Sequence, residues 1–465
     1  MKILSEILED IKIIESHGDV ENHVSSLSLN SKNIEPHSVF VAIEGNIIDG
    51  HIFIDEVIEK GATSVVYERN IDKFKNGITY IKVADTHNAA GIMASNFYGN
   101  PSRKLKLIGV TGTNGKTTTA TLLHQLFRDL GYKAGMIGTV VNKINDKSHE
   151  SIRTTPDPVN LNKLLAEMVD NNCEYCFMEV SSHSVCEKRI DGLTFAGGIF
   201  TNLTLDHLDY HKTLENYCEA KKSFFDILPV SGFAISNIDD DKGEYMLNST
   251  KAHKYTFSLK KDADFNERFD SSLIGEFNAY NILGVYAVAV LLGQDKEKVK
   301  EYIKKLKSVD GRFQSIKSCS GIIGIVDYAH TPDALENVLK TINKIKGKNK
   351  VITVVGCGGD RDKSKRPIMA SIGYELSDIL ILTSDNPRTE TPEDILNDMQ
   401  KGLPLENVNN TQIIIDRHIA ISKACGLAQS GDYILIAGKG HEKYQEINGI
   451  KTYFDDVEEF EKNFL

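Results

Sequence analysis

Two spacings of apolar residues alternate along the whole chain. Short continuous apolar runs, at 38–43, 62–67, 78–83, 105–110, 175–180, 322–326, 351–355, 379–382 and 433–437, have the length and bounding polar residues of buried strands. Between them apolar residues recur every three or four positions. In 120–127, Leu122, Leu123, Leu126 and Phe127 fall on one side, and in 333–345 so do Ala334, Leu335, Val338, Leu339 and Ile342. The segment 279–292 is apolar nearly all round and predicts a buried helix. Strands separated by helices predict an α/β protein with mostly parallel sheets. Breakers divide the chain into three such blocks. The first ends near Tyr98-Gly-Asn-Pro101, and the third begins near Gly311-Arg312-Phe313.

At 465 residues, two or three domains are expected. The longest uncharged apolar stretch, 282–293, is too short to cross a bilayer, so membrane insertion is not expected. The first residues lead into a helical pattern with acids rather than a signal-peptide core, which predicts a cytoplasmic protein. A net charge of −11 argues against general nucleic-acid binding but leaves room for a local basic patch. Seven cysteines, an odd number, predict reduced thiols. Cys173 and Cys176 form a C-x-x-C without a second pair, and packing at a strand edge is the expected role.

The chemistry is concentrated at Thr111-Gly-Thr-Asn-Gly-Lys-Thr-Thr-Thr119, between a predicted strand and a predicted helix. Backbone N–H groups at such a turn and helix N-terminus face anionic oxygens, Lys116 adds positive charge, and the Thr117 hydroxyl suits Mg²⁺. The strict phosphate-loop pattern wants glycine where Val110 stands, with Gly112 offered instead. Use of ATP or a close relative is predicted. Two further segments put polar groups at strand ends. Glu179, in Glu179-Val-Ser-Ser-His183, is placed for Mg²⁺, and in Thr201-Asn-Leu-Thr-Leu-Asp-His-Leu-Asp-Tyr-His211 the ring of His207 can meet a metal or a phosphate. Gly356-Cys-Gly-Gly does not complete a dinucleotide motif, because its sixth position is Arg361. Arg361 and Arg388 supply planar forks suited to amino-acid carboxylates. Pro387 stiffens the turn that presents Arg388.

Together these segments resemble the Mur ligases, ATP-dependent amide-bond-forming enzymes of peptidoglycan synthesis, over essentially the whole chain. The resemblance implies a three-domain architecture: a uridine-nucleotide-binding domain over 1–100, a central P-loop ATPase domain over 101–309 and a Rossmann-like amino-acid-binding domain over 310–465. It implies ATP contacts at Gly112, Thr113, Asn114, Gly115, Lys116, Thr117 and Thr118. Asn278 of Gly275-Glu-Phe-Asn-Ala-Tyr-Asn281 would lie on the adenine side, and Arg312 and Asp327 would close over the nucleotide from the third domain. Tyr217-Cys-Glu-Ala-Lys221 is similar to the family stretch whose lysine is carbamylated, making Lys221 a catalytic group beside Lys116 and His207. Thr117, Glu179, His207 and carbamylated Lys221 are the implied Mg²⁺ ligands.

Leu29 and Ser31 match the uridine-binding stretch, although Asn30 and Lys32 stand where Asp and Arg are commoner. Thr154, Thr155, Ser181, Glu187 and Arg189 are the implied contacts to the sugar-nucleotide dipeptide, Glu187 standing where many relatives have Gln. Asp385-Asn386-Pro387-Arg388, with Arg361, Gly438 and Glu442, resembles the branch of the family that adds meso-diaminopimelate to UDP-MurNAc-L-Ala-D-Glu. A lysine-adding Mur ligase and a folate polyglutamylating ligase are the alternatives. A P-loop switch protein is a third, but the guanine-reading Asn-Lys-x-Asp is absent. A monomer is expected.

Overall fold

The computed structural model describes residues 1–45, 48–71, 73–404 and 410–464. The apolar runs become the inner strands of three sheets, because a strand flanked on both faces must be apolar throughout. The first sheet has five strands in the order Ile13–His17, Thr79–Val83, Ala62–Tyr67, Ser38–Val41, Leu27–Ser28, parallel except at the Ile13–His17 edge. The third has six, in the order Gln314–Lys317, Ile323–Asp327, Tyr433–Ala437, Val351–Val355, Ile379–Leu382, Thr411–Ile413, antiparallel only at the first pair.

The central sheet positions the chemistry. Its eight strands run Lys147–Glu150, Val141–Ile144, Ala134–Ile137, Tyr175–Glu179, Lys106–Thr111, Gly197–Phe200, Phe233–Asn237, His253–Phe257. The first three are joined antiparallel and the remaining pairs are parallel. Lys106–Thr111 is therefore flanked by Tyr175–Glu179 and Gly197–Phe200, all pointing the same way. Three loops from adjacent strand ends converge at one edge, where doubly wound sheets place their ligands.

Beneath them the helix Lys116–Asp129 buries Leu122, Leu123, Leu126 and Phe127 against Ile282, Val285 and Tyr286 of the helix Glu276–Leu291. That second helix is buried along most of its length, as its unbroken apolar pattern requires.

The third block turns its helix Pro332–Ile345 toward this edge. Thr331 caps it by accepting from the Ala334 N–H, and Pro332 occupies the first turn, where a missing N–H costs nothing. Asp333 is thereby aimed across the cleft, and its Oδ2 accepts from Asn114 Nδ2 at 2.9 Å. Among the described residues no helix is long and apolar enough to cross a membrane.

Candidate active site

The turn after Lys106–Thr111 is held open by glycines. Gly112 adopts φ +150°, and a Cβ there would lie 1.9 Å from Thr201 Oγ1 and 3.1 Å from the Asn202 backbone nitrogen, so no other residue fits. Asn202 and Thr201, at the end of the neighbouring strand, fix the loop from the side. Asn202 Oδ1 accepts from the Asn114 N–H at 2.9 Å, and Thr201 Oγ1 donates to the Asn114 carbonyl at 2.6 Å. Lys116 donates to the Gly112 and Thr113 carbonyls at 2.8 and 2.7 Å, which gathers an ammonium into the mouth of the loop.

Glu179 ends the adjacent strand and is only 1 % exposed. Its Oε2 accepts from Thr117 Oγ1 at 2.9 Å and Thr139 Oγ1 at 3.1 Å, and its Oε1 from the Thr139 N–H at 2.8 Å. Gly138 leaves room for it, since a Cβ there would lie 2.5 Å from Oε1. Among the described residues it has no ion-pair partner. A buried carboxylate paired only with hydroxyls and an amide, beside the Thr117 oxygen, is an all-oxygen donor set that fits a hard divalent cation. The described residues gather no group of three or more His, Cys, Asp or Glu for a metal. A cation there would complete its shell from phosphate oxygens and water.

Lys221 is 1 % exposed, donates to the Gly112 carbonyl at 2.7 Å and lies 4.3 Å from the Tyr217 ring centre. Burial first, then the Lys116 charge, pushes its pKa well below the ordinary lysine range. His207 takes a left-handed backbone conformation (φ +54°), its ring 4.9 Å from that of His183 and its Nε2 3.5 Å from Asp206 Oδ2. Burial lowers its pKa to about 4, leaving the imidazole neutral at pH 7.

From the third domain, Arg312 reaches across to donate to Thr117 Oγ1 at 3.2 Å, its guanidinium 4.6 Å from the Tyr328 ring centre. Asp327 accepts from the Phe313 N–H at 2.6 Å, and burial raises its pKa to about 6. These groups, with Thr118, Thr154, Thr155, Ser181 and Arg189, line a cleft of about 800 Å³. Thr155 Oγ1 donates to the Glu179 carbonyl, and Arg189 donates to the Thr155 carbonyl while pairing with Glu187.

The same cleft takes in Arg361, Asp385, Asn386, Arg388, Gly438 and Glu442. Asn386 donates to Glu442 Oε2 at 2.8 Å and accepts from Lys439 Nζ at 2.9 Å. Burial, then Asp385, raises the Glu442 pKa. Arg361 is exposed and donates to the Asp360 carbonyl, whereas Arg388 is half-buried and donates to the Gly359 carbonyl at 2.8 Å.

Two groups of expected residues lie elsewhere. Leu29 and Ser31 sit in the first block away from this cleft, the Ser31 carbonyl accepting from Lys60 Nζ. Asn278 is buried behind the phosphate loop, donating to the Ile274 carbonyl and accepting from Asn281. Sequence reasoning passed over Thr139 and Asp333, and it took in Val326–His330 and Gly438–Glu442 without naming Tyr328 or Lys439 as site residues. Lys439 had a signal: a lysine between two glycines directly after an apolar strand, and it is fully buried.

Comparison with known proteins identifies the family. The Mur ligase family catalytic domain matches residues 23–98, the Mur ligase middle domain 110–289 and the Mur ligase glutamate ligase domain 311–440. A UDP-N-acetylmuramoyl-L-alanyl-D-glutamate–2,6-diaminopimelate ligase of Phocaeicola vulgatus is 52% identical, covering 98% of each chain. A counterpart in Clostridium acetobutylicum is 43% identical over 98% of each chain. A solved structure of a ligase with that activity superposes with a TM-score of 0.70 at 31% identity, covering 100% of this chain and 98% of that one. The MurF ligase of Thermotoga maritima in complex with ADP shares the fold at 18% identity, with a TM-score of 0.62 and coverage of 94% and 97%. The chain belongs to the Mur ligase family.

Proposed function

We propose that this chain uses ATP to join meso-diaminopimelate to the terminal D-glutamyl carboxylate of UDP-MurNAc-L-Ala-D-Glu, a step of peptidoglycan synthesis. The observation that carries the reading is a single cleft lined both by the phosphate loop and by the Asp385–Arg388 turn. Relatives with this activity in their names align over nearly the whole chain.

An amide does not form from a carboxylate at neutral pH without activation. In this reading the γ-phosphate of ATP passes to the D-glutamyl carboxylate, giving an acyl phosphate. The amine of diaminopimelate attacks its carbonyl carbon, and the tetrahedral intermediate expels phosphate. Lys116 and Arg312 neutralise charge on the transferring oxygens, the largest lever in phosphoryl transfer. Thr117 and Glu179 would hold Mg²⁺, which supplies further charge neutralisation on the phosphates when bound. The neutral amine that burial favours at Lys221 is the form that adds CO₂, so carbamylation fits its setting. His207 would serve near that group. Thr154, Thr155, Ser181, Glu187 and Arg189 would hold the dipeptide, with Leu29 and Ser31 holding the uridine in the domain over 1–100. Domains over 101–309 and 310–465 would bring ATP and amino acid together, with Asn278 on the adenine side. Arg361 and Arg388 would read carboxylates, and Asp385, Asn386, Pro387, Gly438 and Glu442 would shape the amino-acid pocket. The protein would act in the cytoplasm as a monomer.

ADP release by purified protein tests the reading. It should require the UDP-MurNAc dipeptide and the amino acid together. Turnover with neither, or turnover driven by a folate, would contradict it.

A further inference from the structure

The hydrophobic core does not account for the hairpin of Tyr444–Ile447 and Ile450–Tyr453. Ile447, Ile450 and Tyr453 are 44 %, 68 % and 64 % exposed. The first strand of the hairpin instead spends its polar groups on the turn at Asp385–Arg388. Arg388 sits at φ +53°, a left-handed conformation that a long L side chain adopts rarely, so this turn needs support from outside. The Arg388 N–H donates to the Glu446 carbonyl at 3.0 Å, and the Asn448 N–H donates to the Arg388 carbonyl at 2.7 Å. The Glu446 N–H donates to Asn386 Oδ1 at 3.0 Å, and Gln445 Nε2 donates to the Asp385 carbonyl at 2.7 Å.

The side chain of Glu446 continues the pattern. Its Oε2 lies 3.7 Å from Arg388 Nε, while Arg388 Nη1 donates to the Gly359 carbonyl at 2.8 Å. A guanidinium carries five N–H groups in a fixed fork. With the Nε side facing Glu446 and Nη1 held by a carbonyl, no hydrogen-bond partner among the described residues takes Nη2, which is left for a ligand carboxylate. We infer that Glu446 is a positioning residue for amino-acid selection, fixing the Arg388 fork from the side away from the ligand. The inference rests on the proposed reading that Arg388 receives the distal carboxylate of meso-diaminopimelate. The sign of the effect is informative. Glu446 carries the same charge as that carboxylate, so electrostatics alone predicts that removing it tightens binding. Positioning predicts the opposite.

The test is steady-state kinetics of the full-length protein with each substrate varied in turn. Glu446→Ala should raise KM for meso-diaminopimelate about tenfold, as loss of orientation at a binding group does. The kcat and the KM for ATP should change by less than about twofold, the pattern of a lost binding contact. Glu446→Gln keeps an oxygen facing the Nε edge of the fork and should restore most of the affinity. Because Glu446 is partly exposed, the thermal midpoint of both variants should stay at the wild-type value. Unchanged or lowered KM in Glu446→Ala overturns the inference. So does a Glu446→Gln variant as impaired as Glu446→Ala, which would place the charge in direct contact with the amino acid. Wild-type protein that prefers L-lysine would instead overturn the underlying reading, a result that the same assay separates.

Discussion

At the residue scale, two lysines on one carbonyl define the account. Lys116 and Lys221 both donate to the Gly112 carbonyl, so two amino groups share the mouth of the phosphate loop and burial disfavours the charge on each. Lys116→Ala should lower ligation by at least about 10²-fold, as loss of one preorganised electrostatic contact does. Near-normal turnover by a folded Lys116→Ala protein would remove the loop from the chemistry. Lys221 has a different expected signature. Lys221→Ala should be inactive yet regain activity with added short carboxylic acids, which replace the carbamate oxygens. Full activity without such additives would contradict carbamylation. Lys116 was legible because phosphate loops compress their chemistry into a few consecutive positions, whereas Lys221 was expected only from the resemblance of Tyr217–Lys221 to the family stretch. Thr139 and Asp333 were not, because each becomes functional only through a partner far along the chain, Glu179 or Asn114.

At the element scale, the inner strands were read nearly to the residue, Ala62–Tyr67, Val351–Val355, Ile379–Leu382 and Tyr433–Ala437 matching the predicted bounds. The strand before Thr201, Gly197–Phe200, was expected without bounds, for a packing reason. A Cβ at Gly197 would lie 2.4 Å from Phe233 Cζ, so the strand carries glycine to seat a ring and loses its apolar signature. Lys147–Glu150 is exposed throughout and has no periodicity to read. The helix Lys116–Asp129 carries a pH liability of its own. His124 on its buried face donates from Nε2 to the Asn145 carbonyl at 3.1 Å, and burial, then Lys143, lowers its pKa from the ordinary 6.5 to about 4. A depressed histidine pKa gives stability that is complete above about pH 6.5 and is lost as pH falls toward 4. At pH 5 the loss from this residue is about 2 kcal/mol. Urea titrations should show a shallower decline between pH 6.5 and 4.5 in His124→Gln than in wild type. An identical slope would mean that the imidazole does not stay neutral in the fold.

At the scale of the whole molecule, the two domain junctions differ in kind. The helix Thr86–Phe97 of the first domain packs backbone to backbone on the second, where a Cβ at Gly91 would lie 2.7 Å from the Asp191 carbonyl. Lys188 pairs with Asp85, and Asn88 donates to Asp191. The third domain meets the second across the cleft through side-chain contacts that include Asn114 with Asp333, Arg312 with Thr117, Glu276 with Lys344 and Phe277 with Phe313. Such an interface permits relative motion, and closure would keep water from an acyl phosphate. Asp333→Ala should enlarge the radius of gyration by small-angle scattering without substrates and leave the thermal midpoint unchanged. An unaltered scattering profile would show that this contact does not set the domain arrangement.

The central claim, that the cleft couples ATP to a diamino acid with a distal carboxylate, meets its most direct test in parallel ligation assays with meso-diaminopimelate and L-lysine. A site built to bond a polar group rejects an analogue without it by roughly 10⁴-fold. For meso-diaminopimelate kcat/KM should exceed that for L-lysine by about this ratio, and Arg388→Ala should narrow the gap while ATP binding persists. A wild-type preference for L-lysine, or an Arg388→Ala protein that keeps full discrimination, would contradict it.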